Sequence, residues 1–277
     1  IVFRAQHLET AQPCAVKIIR ETEASREKLL QRFRREAQVT RYLSQSTPYI
    51  ISIFDFGAEA DIGFFYVMEL LNGRPLSALL KIPEMPPPYP WTCRMFAHLC
   101  EALAVVHQAG LIHRDIKSEN VFLHYPSPNE EIIKLLDFGL VRPIFQQEAA
   151  LTTYGRVMGT PEYMSPEQCR GPSKEQYAQG INHLDGRSDI YSLGVLFYQC
   201  LVGVLPFPMD NQSQAGITQV MAGHVLHKPI PPTEKRPDLE IPQALSDVVM
   251  QSLEKKPEER FQTMLGFRNA IHAATPT

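Results

Sequence analysis

Between Ile190 and Met209 the chain carries no charged residue. About 20 apolar residues suffice to cross a bilayer, so such a run is either a membrane span or a helix buried in protein. Gly194, Gln199, Gly203 and Pro206 interrupt it, and a proline removes a backbone donor and breaks the helix it enters. The run therefore predicts a buried helix ended by Pro206, and no membrane segment in this chain. A chain of 277 residues has enough length to surround such a helix with a sizeable core.

The first seventy residues read differently from the rest. Cys14–Ile19, Ile50–Phe56 and Phe64–Leu70 are rich in β-branched and aromatic residues and predict strands. Between the first two, Ser25–Leu43 places Leu29, Phe33, Ala37 and Thr40 at helical spacing within a charged stretch. From Leu76 onward the pattern is helical. A proline cluster, Pro83 to Pro90, marks a loop, and Trp91–Gln108 predicts a helix stopped by Gly110. Short apolar pieces follow at Val121–Leu123 and Ile132–Leu136, and then Val141–Tyr163 shows little periodicity. A long unpatterned stretch inside a folded chain is usually functional or disordered. The resulting expectation is an α+β protein, a small β-rich lobe joined to a larger helical one.

Charge and cysteines narrow the function. Lys and Arg total 27 against 30 for Asp and Glu, a net charge of −3, which gives no electrostatic case for nucleic acid or an anionic membrane surface. The five cysteines form no C-x-x-C pair and no metal-ligand spacing. Cys93 and Cys100, on one predicted helix, stand about 10.5 Å apart along its axis, too far for a disulfide. A reducing, cytoplasmic setting is expected.

The chemistry concentrates in His113-Arg114-Asp115-Ile116-Lys117-Ser118-Glu119-Asn120, followed by Asp137-Phe138-Gly139. Lys117 two beyond the Asp, Asn120 five beyond it, and Asp-Phe-Gly after a pair of short strands make chance improbable. The arrangement resembles the catalytic and metal-binding loops of protein kinases, and the resemblance covers essentially the whole chain. It implies a bilobal protein-kinase-like fold over residues 1–277, with an N-lobe at 1–68, a hinge at 69–71 and a C-lobe at 72–277. Asp115 is implied as the base that takes the hydroxyl proton, and Lys117 as the positive charge against the γ-phosphate. Asn120 and Asp137 are implied as the Mg²⁺ ligands, with Mn²⁺ as a substitute. Upstream, Ala15-Val16-Lys17 and Glu36 look like the strand lysine that grips the α- and β-phosphates of ATP and the helix glutamate that holds it.

Further residues follow from the same resemblance. Val2 and Ala15 would cover the adenine, Phe122 would lie beneath it, Met68 would be the gatekeeper, and backbone groups of Glu69 and Leu71 would bond its edge. Residues 137–167 resemble an activation segment, ending in Gly159-Thr160-Pro161-Glu162-Tyr163-Met164-Ser165-Pro166-Glu167. Ser165, Pro166 and Gln168 also suit a helix capping box. Glu167 is expected to pair with Arg260, and Asp189 to tether the catalytic-loop backbone. Lys117 and Thr160 match the serine/threonine members, so the implied partners are proteins with Ser or Thr acceptors. Arg114 beside the catalytic Asp implies control by phosphorylation of Thr152 and Thr153, in trans between copies.

Val2-Phe3-Arg4-Ala5, Ser165-Pro166-Glu167-Gln168 and Gly186-Arg187-Ser188-Asp189-Ile190 most resemble bacterial kinases of the eukaryotic type. The family pattern opens with Gly-x-Gly-x-x-Gly-x-Val, and Val2 stands at its last position, with Gly57 the first glycine in the chain. The expectation is a parent protein that extends upstream, and a small sheet lacking its first strand. A membrane tether on that parent is left open. Two alternatives compete: a pseudokinase scaffold, opposed by Lys17, Asp115, Asn120 and Asp137 all being in place, and a small-molecule phosphotransferase, opposed by the peptide-docking activation segment.

Overall fold

The computed structural model describes residues 1–19, 26–59, 63–137, 142–143, 160–173, 175–176, 184–209 and 213–275. Chain order begins β1 (Val2–Gln6), β2 (Pro13–Ile19), α1 (Arg26–Ser44), β3 (Ile53–Glu59), β4 (Gly63–Glu69) and β5 (Gly73–Pro75). It continues with α2 (Leu76–Leu79), α3 (Tyr89–Gln108), β6 (Leu111–Ile112), β7 (Val121–Ser127), β8 (Glu130–Leu135) and β9 (Arg142–Pro143). The remaining helices are α4 (Pro166–Arg170), α5 (Gly186–Val202), α6 (Gln214–Leu226), α7 (Pro232–Lys235), α8 (Gln243–Ser252) and α9 (Met264–Ala274). Two compact units result, residues 1–74 with 122–139, and residues 75–121 with 140–277.

In the first unit an antiparallel sheet runs β1-β2-β4-β3. The period of two along β4 puts Phe64 and Tyr66 on one face, where they form a core with Ile53 and with Ala37 of α1. Met68 and Phe56 pack against that cluster. Strand β1 is absent from the sequence expectation. Its Val2 and Phe3 are β-formers, but both are exposed, so no buried alternation announces the strand.

The hairpin β7–β8 groups with the first unit, whereas the sequence expectation counts residues 72–277 as a single helical lobe. The reason lies in long-range pairing. Leu135 N–H donates to Tyr49 O at 2.7 Å, Ile51 N–H donates back to Leu135 O at 3.1 Å, and β5, β7 and β8 form one sheet.

In the second unit residues 190–202 of the uncharged run form the body of α5, which is buried along most of its length. Phe197 stacks on Phe96 of α3 with ring centroids 4.4 Å apart, and meets Phe267 of α9 edge-on at 6.3 Å. Among the described residues no helix is long and apolar enough to cross a membrane. The helix stops at Val202, ahead of Pro206: Gly203 takes the left-handed cap at φ 85, and its N–H reaches Gln199 O at 2.8 Å. Glycine adopts that conformation without a Cβ penalty, so the helix closes before the proline can break it.

Gly194 has a packing reason instead. A Cβ there would strike the Ser252 hydroxyl and lie 2.9 Å from Ser252 Cβ, so the missing side chain lets α8 approach α5. Gly194→Ala is expected to cost about 1–3 kcal/mol through overpacking. A urea midpoint equal to that of the unsubstituted protein would contradict this.

Candidate active site

The catalytic-loop residues are built around a buried carboxylate. Asp189 on α5 is fully buried and accepts His113 N–H at 2.8 Å, Arg114 N–H at 2.9 Å and the ring Nε2 of His107 at 2.8 Å. This is the tether expected of Asp189. It holds Arg114 at φ 69, a left-handed conformation that persists only where the surroundings over-determine it. From α4, Gln168 secures the other side: its Nε2 donates to Arg114 O at 3.1 Å, while its Oε1 accepts Ser165 N–H at 3.0 Å. With Ser165 Oγ accepting Gln168 N–H, the capping box is complete.

Held in this way, Asp115 collects three side-chain donors among the described residues. Lys117 Nζ reaches its Oδ2 at 2.8 Å, Asn120 Nδ2 reaches the same oxygen at 3.1 Å, and the Thr160 hydroxyl donates to Oδ1 at 3.2 Å. Lys117 Nζ also donates to Thr160 Oγ1 at 3.0 Å, closing a ring of three side chains. Asn120 Nδ2 makes a second bond to Asp115 O at 2.9 Å. Thr160 is steadied by the 3₁₀ turn Pro161–Tyr163, where Tyr163 donates to Gln199 Oε1 at 2.7 Å and contacts Ser118 Oγ at 3.2 Å.

Two histidines that sequence analysis passed over support this framework. His107 fastens α3 to Asp189. His224 on α6 is fully buried between Tyr191 OH at 2.9 Å and Glu162 O at 3.0 Å. Burial, and then the charge of Lys255, push His224 down to about 3, so it is neutral. With Nε2–H donating to the Glu162 carbonyl, Nδ1 accepts from Tyr191. No motif marks either histidine, since their partners come from distant elements.

Glu167 and Arg260 form the expected pair, bidentate at 2.8 Å for both contacts. Ser188 Oγ donates to Glu167 at 2.7 Å, and Arg260 also reaches the carbonyls of Glu254, Arg187 and Lys255. Burial by itself would raise the Glu167 carboxyl, but the Arg260 bonds and charge outweigh it and hold the group below the usual carboxylate range.

The first unit carries the other residues expected at the site. Lys17 on β2 meets Asp137 Oδ2 at 3.3 Å, its Nζ 5.4 Å from the Tyr66 ring centroid. Val2 is the cross-strand partner of Lys17, and Ala15 the partner of Met68. Asp137 takes a left-handed φ of 52. Glu69 closes β4, and Leu71 follows it. Phe122, half-buried on β7, lies 3.2 Å from where a Cβ on Gly73 would sit. Glu36 falls on α1, but its side chain is outside the described residues, as are Phe138, Gly139, Thr152, Thr153 and most of 173–184.

Asp189 sets an acid limit on the fold. Burial would raise its carboxyl, yet the His107 hydrogen bond, the fields of His107 and His113 and the Arg114 N–H together hold it low. A depressed folded-state value contributes stability above the unfolded value of about 3.9, and that contribution is lost as pH falls through the folded value. The urea midpoint should therefore drop on acidification below about pH 5, with Asp189→Asn showing a flatter profile. Parallel profiles would remove Asp189 from this role.

Residues 1–271 match the protein kinase domain family. The chain is 37% identical over 275 residues to "Serine/threonine-protein kinase pkn3" of Myxococcus xanthus, covering 98% of the chain and 47% of that protein. It is 34% identical over 273 residues to "Serine/threonine-protein kinase Pkn1" of the same organism, covering 99% and 36% respectively. "Serine/threonine-protein kinase PknB" of Mycobacterium tuberculosis is 35% identical over 270 residues, covering 96% and 39%. The chain thus spans less than half the length of these curated relatives.

Proposed function

Since the chain belongs to the protein kinase domain family, we propose that it is an ATP-dependent protein serine/threonine kinase, moving the γ-phosphoryl group of Mg-ATP to protein hydroxyls. The observation that carries this is the ring of Asp115, Lys117 and Thr160. Among the described residues, Asp115 Oδ2 is occupied by Lys117 and Asn120, and Oδ1 by the Thr160 hydroxyl. A second lone pair on Oδ1 is where a serine or threonine hydroxyl would donate. Asp115 orients that hydroxyl and takes its proton as the oxygen attacks. The ammonium of Lys117, 3.0 Å from Thr160 Oγ1, puts positive charge beside the same carboxylate.

Oxygen donors fit a hard cation. The amide nitrogen of Asn120 is committed to Asp115, which leaves Oδ1 as the atom to offer a metal. Asp137 presents a half-exposed carboxylate. One or two protein oxygens plus substrate phosphates is the usual manner of holding Mg²⁺, and Mn²⁺ accepts the same donors. When bound, the ion supplies positive charge to the phosphates. Lys17 would grip the α- and β-phosphates. Ala15, Met68, Val2 and Phe122 would line the adenine, with its edge bonded by backbone groups of Glu69 and Leu71. Glu36 would hold Lys17.

Family resemblance at Lys117 and Thr160, and the names of the relatives, favour Ser/Thr acceptors. Arg114 beside Asp115 supports control by phosphates on Thr152 and Thr153, added in trans. Five free cysteines are in keeping with a cytoplasmic location for this part of the protein. One incubation tests the whole proposal, with Mg-ATP and a generic basic protein substrate beside an Asp115→Asn control. Expected are labelled substrate and, by mass spectrometry, phosphate on Thr152 or Thr153. No transfer above the control overturns the kinase assignment. Transfer with both threonines unmodified overturns only the regulatory part.

A further inference from the structure

The first unit contains another ion pair, apart from Lys17 and Asp137. Lys134 on β8 is 5% exposed, and its Nζ donates to Glu69 Oε1 at 2.7 Å. The same carboxylate oxygen accepts Ser52 N–H at 2.8 Å, while Glu69 N–H returns to Ser52 O at 3.0 Å. The segment that carries Ser52 is laced to β8 in turn. Leu135 N–H donates to Tyr49 O, Ile51 N–H donates to Leu135 O, and Ile50 bridges Leu135 in parallel.

Three pieces of chain therefore close a triangle: the end of β4, residues 49–52, and the end of β8. Each is bonded to the other two. Asp137 lies two residues past one corner and Leu71 two residues past another. A buried ion pair is weak evidence for stability, because a well-packed apolar pair of the same volume serves as well or better. What the charged pair supplies is a fixed location. Two donors converge on one oxygen of Glu69 and so set the backbone to which that side chain is attached.

We propose that Lys134 is a positioning residue for the nucleotide base. Through Glu69 it holds the backbone of residues 69–71 in the register that bonds the adenine edge. It touches no part of the nucleotide itself. This rests on the adenine role given above to Glu69 and Leu71. A group held out of register by a small displacement loses much of its effect, so removing the ammonium should weaken base recognition and leave phosphate recognition alone.

The test separates the two ends of the nucleotide. Adenosine, which lacks phosphates, and inorganic tripolyphosphate, which lacks a base, are bound to the unsubstituted protein and to Lys134→Met and Lys134→Arg. A double variant, Lys134→Met with Glu69→Gln, leaves no buried charge unpaired and carries the comparison if Lys134→Met does not fold. Expected is a loss of adenosine affinity of about tenfold or more in Lys134→Met and in the double variant, with tripolyphosphate unchanged. The preference for ATP over GTP should narrow, KM for ATP should rise with kcat little altered, and Lys134→Arg should keep most of the affinity. Equal adenosine binding by all variants, or equal loss of adenosine and tripolyphosphate, overturns the positioning role. So does a gain of activity in Lys134→Met, which would make the pair a restraint. If the unsubstituted protein binds tripolyphosphate but no adenosine, the adenine assignment of residues 69–71 itself fails, and the role of Lys134 falls with it.

Discussion

Asparagine in place of Asp115 is expected to lower phosphotransfer about 10²- to 10⁴-fold, the usual contribution of a positioned general base. The substitution keeps the shape and removes the acceptor. An amide oxygen placed where Oδ2 now stands still receives Lys117 and Asn120. The amide NH₂ then faces Thr160, whose hydroxyl now donates to Oδ1 and would have to find another acceptor. A substrate hydroxyl arriving at that position would meet a donor as well. Because Lys17 and Asp137 are untouched, KM for ATP should stay within about twofold, so the loss should fall on kcat, as expected for an interaction made in the transition state. Steady-state kinetics at saturating protein substrate reads this directly. Undiminished kcat would take the base role away from Asp115.

Arg260→Met should be the most destabilising of the substitutions considered, at about 3–5 kcal/mol, the cost of breaking a buried pair from one side. Glu167 would be left as a buried carboxylate with Ser188 for company, and the carbonyls of Glu254, Arg187 and Lys255 would each lose a donor. Domains are stable by only about 5–15 kcal/mol in all, so much of the protein should be unfolded at modest urea concentration. Pairing it with Glu167→Met should restore part of the loss, since the stranded charge is then gone. A double variant no more stable than the single would show that the lost carbonyl bonds, rather than the unpaired carboxylate, dominate. The urea midpoints of the three variants decide it.

The expectations that held rest on local rules or, for the Asp189 tether and the Glu167–Arg260 pair, on the family resemblance. Ser165, Pro166 and Gln168 form a capping box because three residues of helix geometry bring those atoms together whatever surrounds them. The predicted helix at 91–108 emerges as α3 because its apolar spacing matches its own burial. Pro206 misled because Gly203 provides a cheaper stop three residues earlier. Strand β1 went unseen because its apolar residues are exposed and carry no alternation of burial. Thr160 could be attached to Asp115 only by resemblance, for the two are 45 residues apart and no spacing rule connects them.

The sequence by itself determined the elements whose causes are local, namely periodicity, caps and turn residues, and through its ordered motifs the family to which the chain belongs. Tertiary structure alone decided other long-range partners: His107 with Asp189, His224 between Tyr191 and Glu162, Lys134 with Glu69, and the hairpin β7–β8 with the first unit. The physical reason is the same in each case. A buried polar group must find a partner, but which partner depends on where packing brings the chain back upon itself.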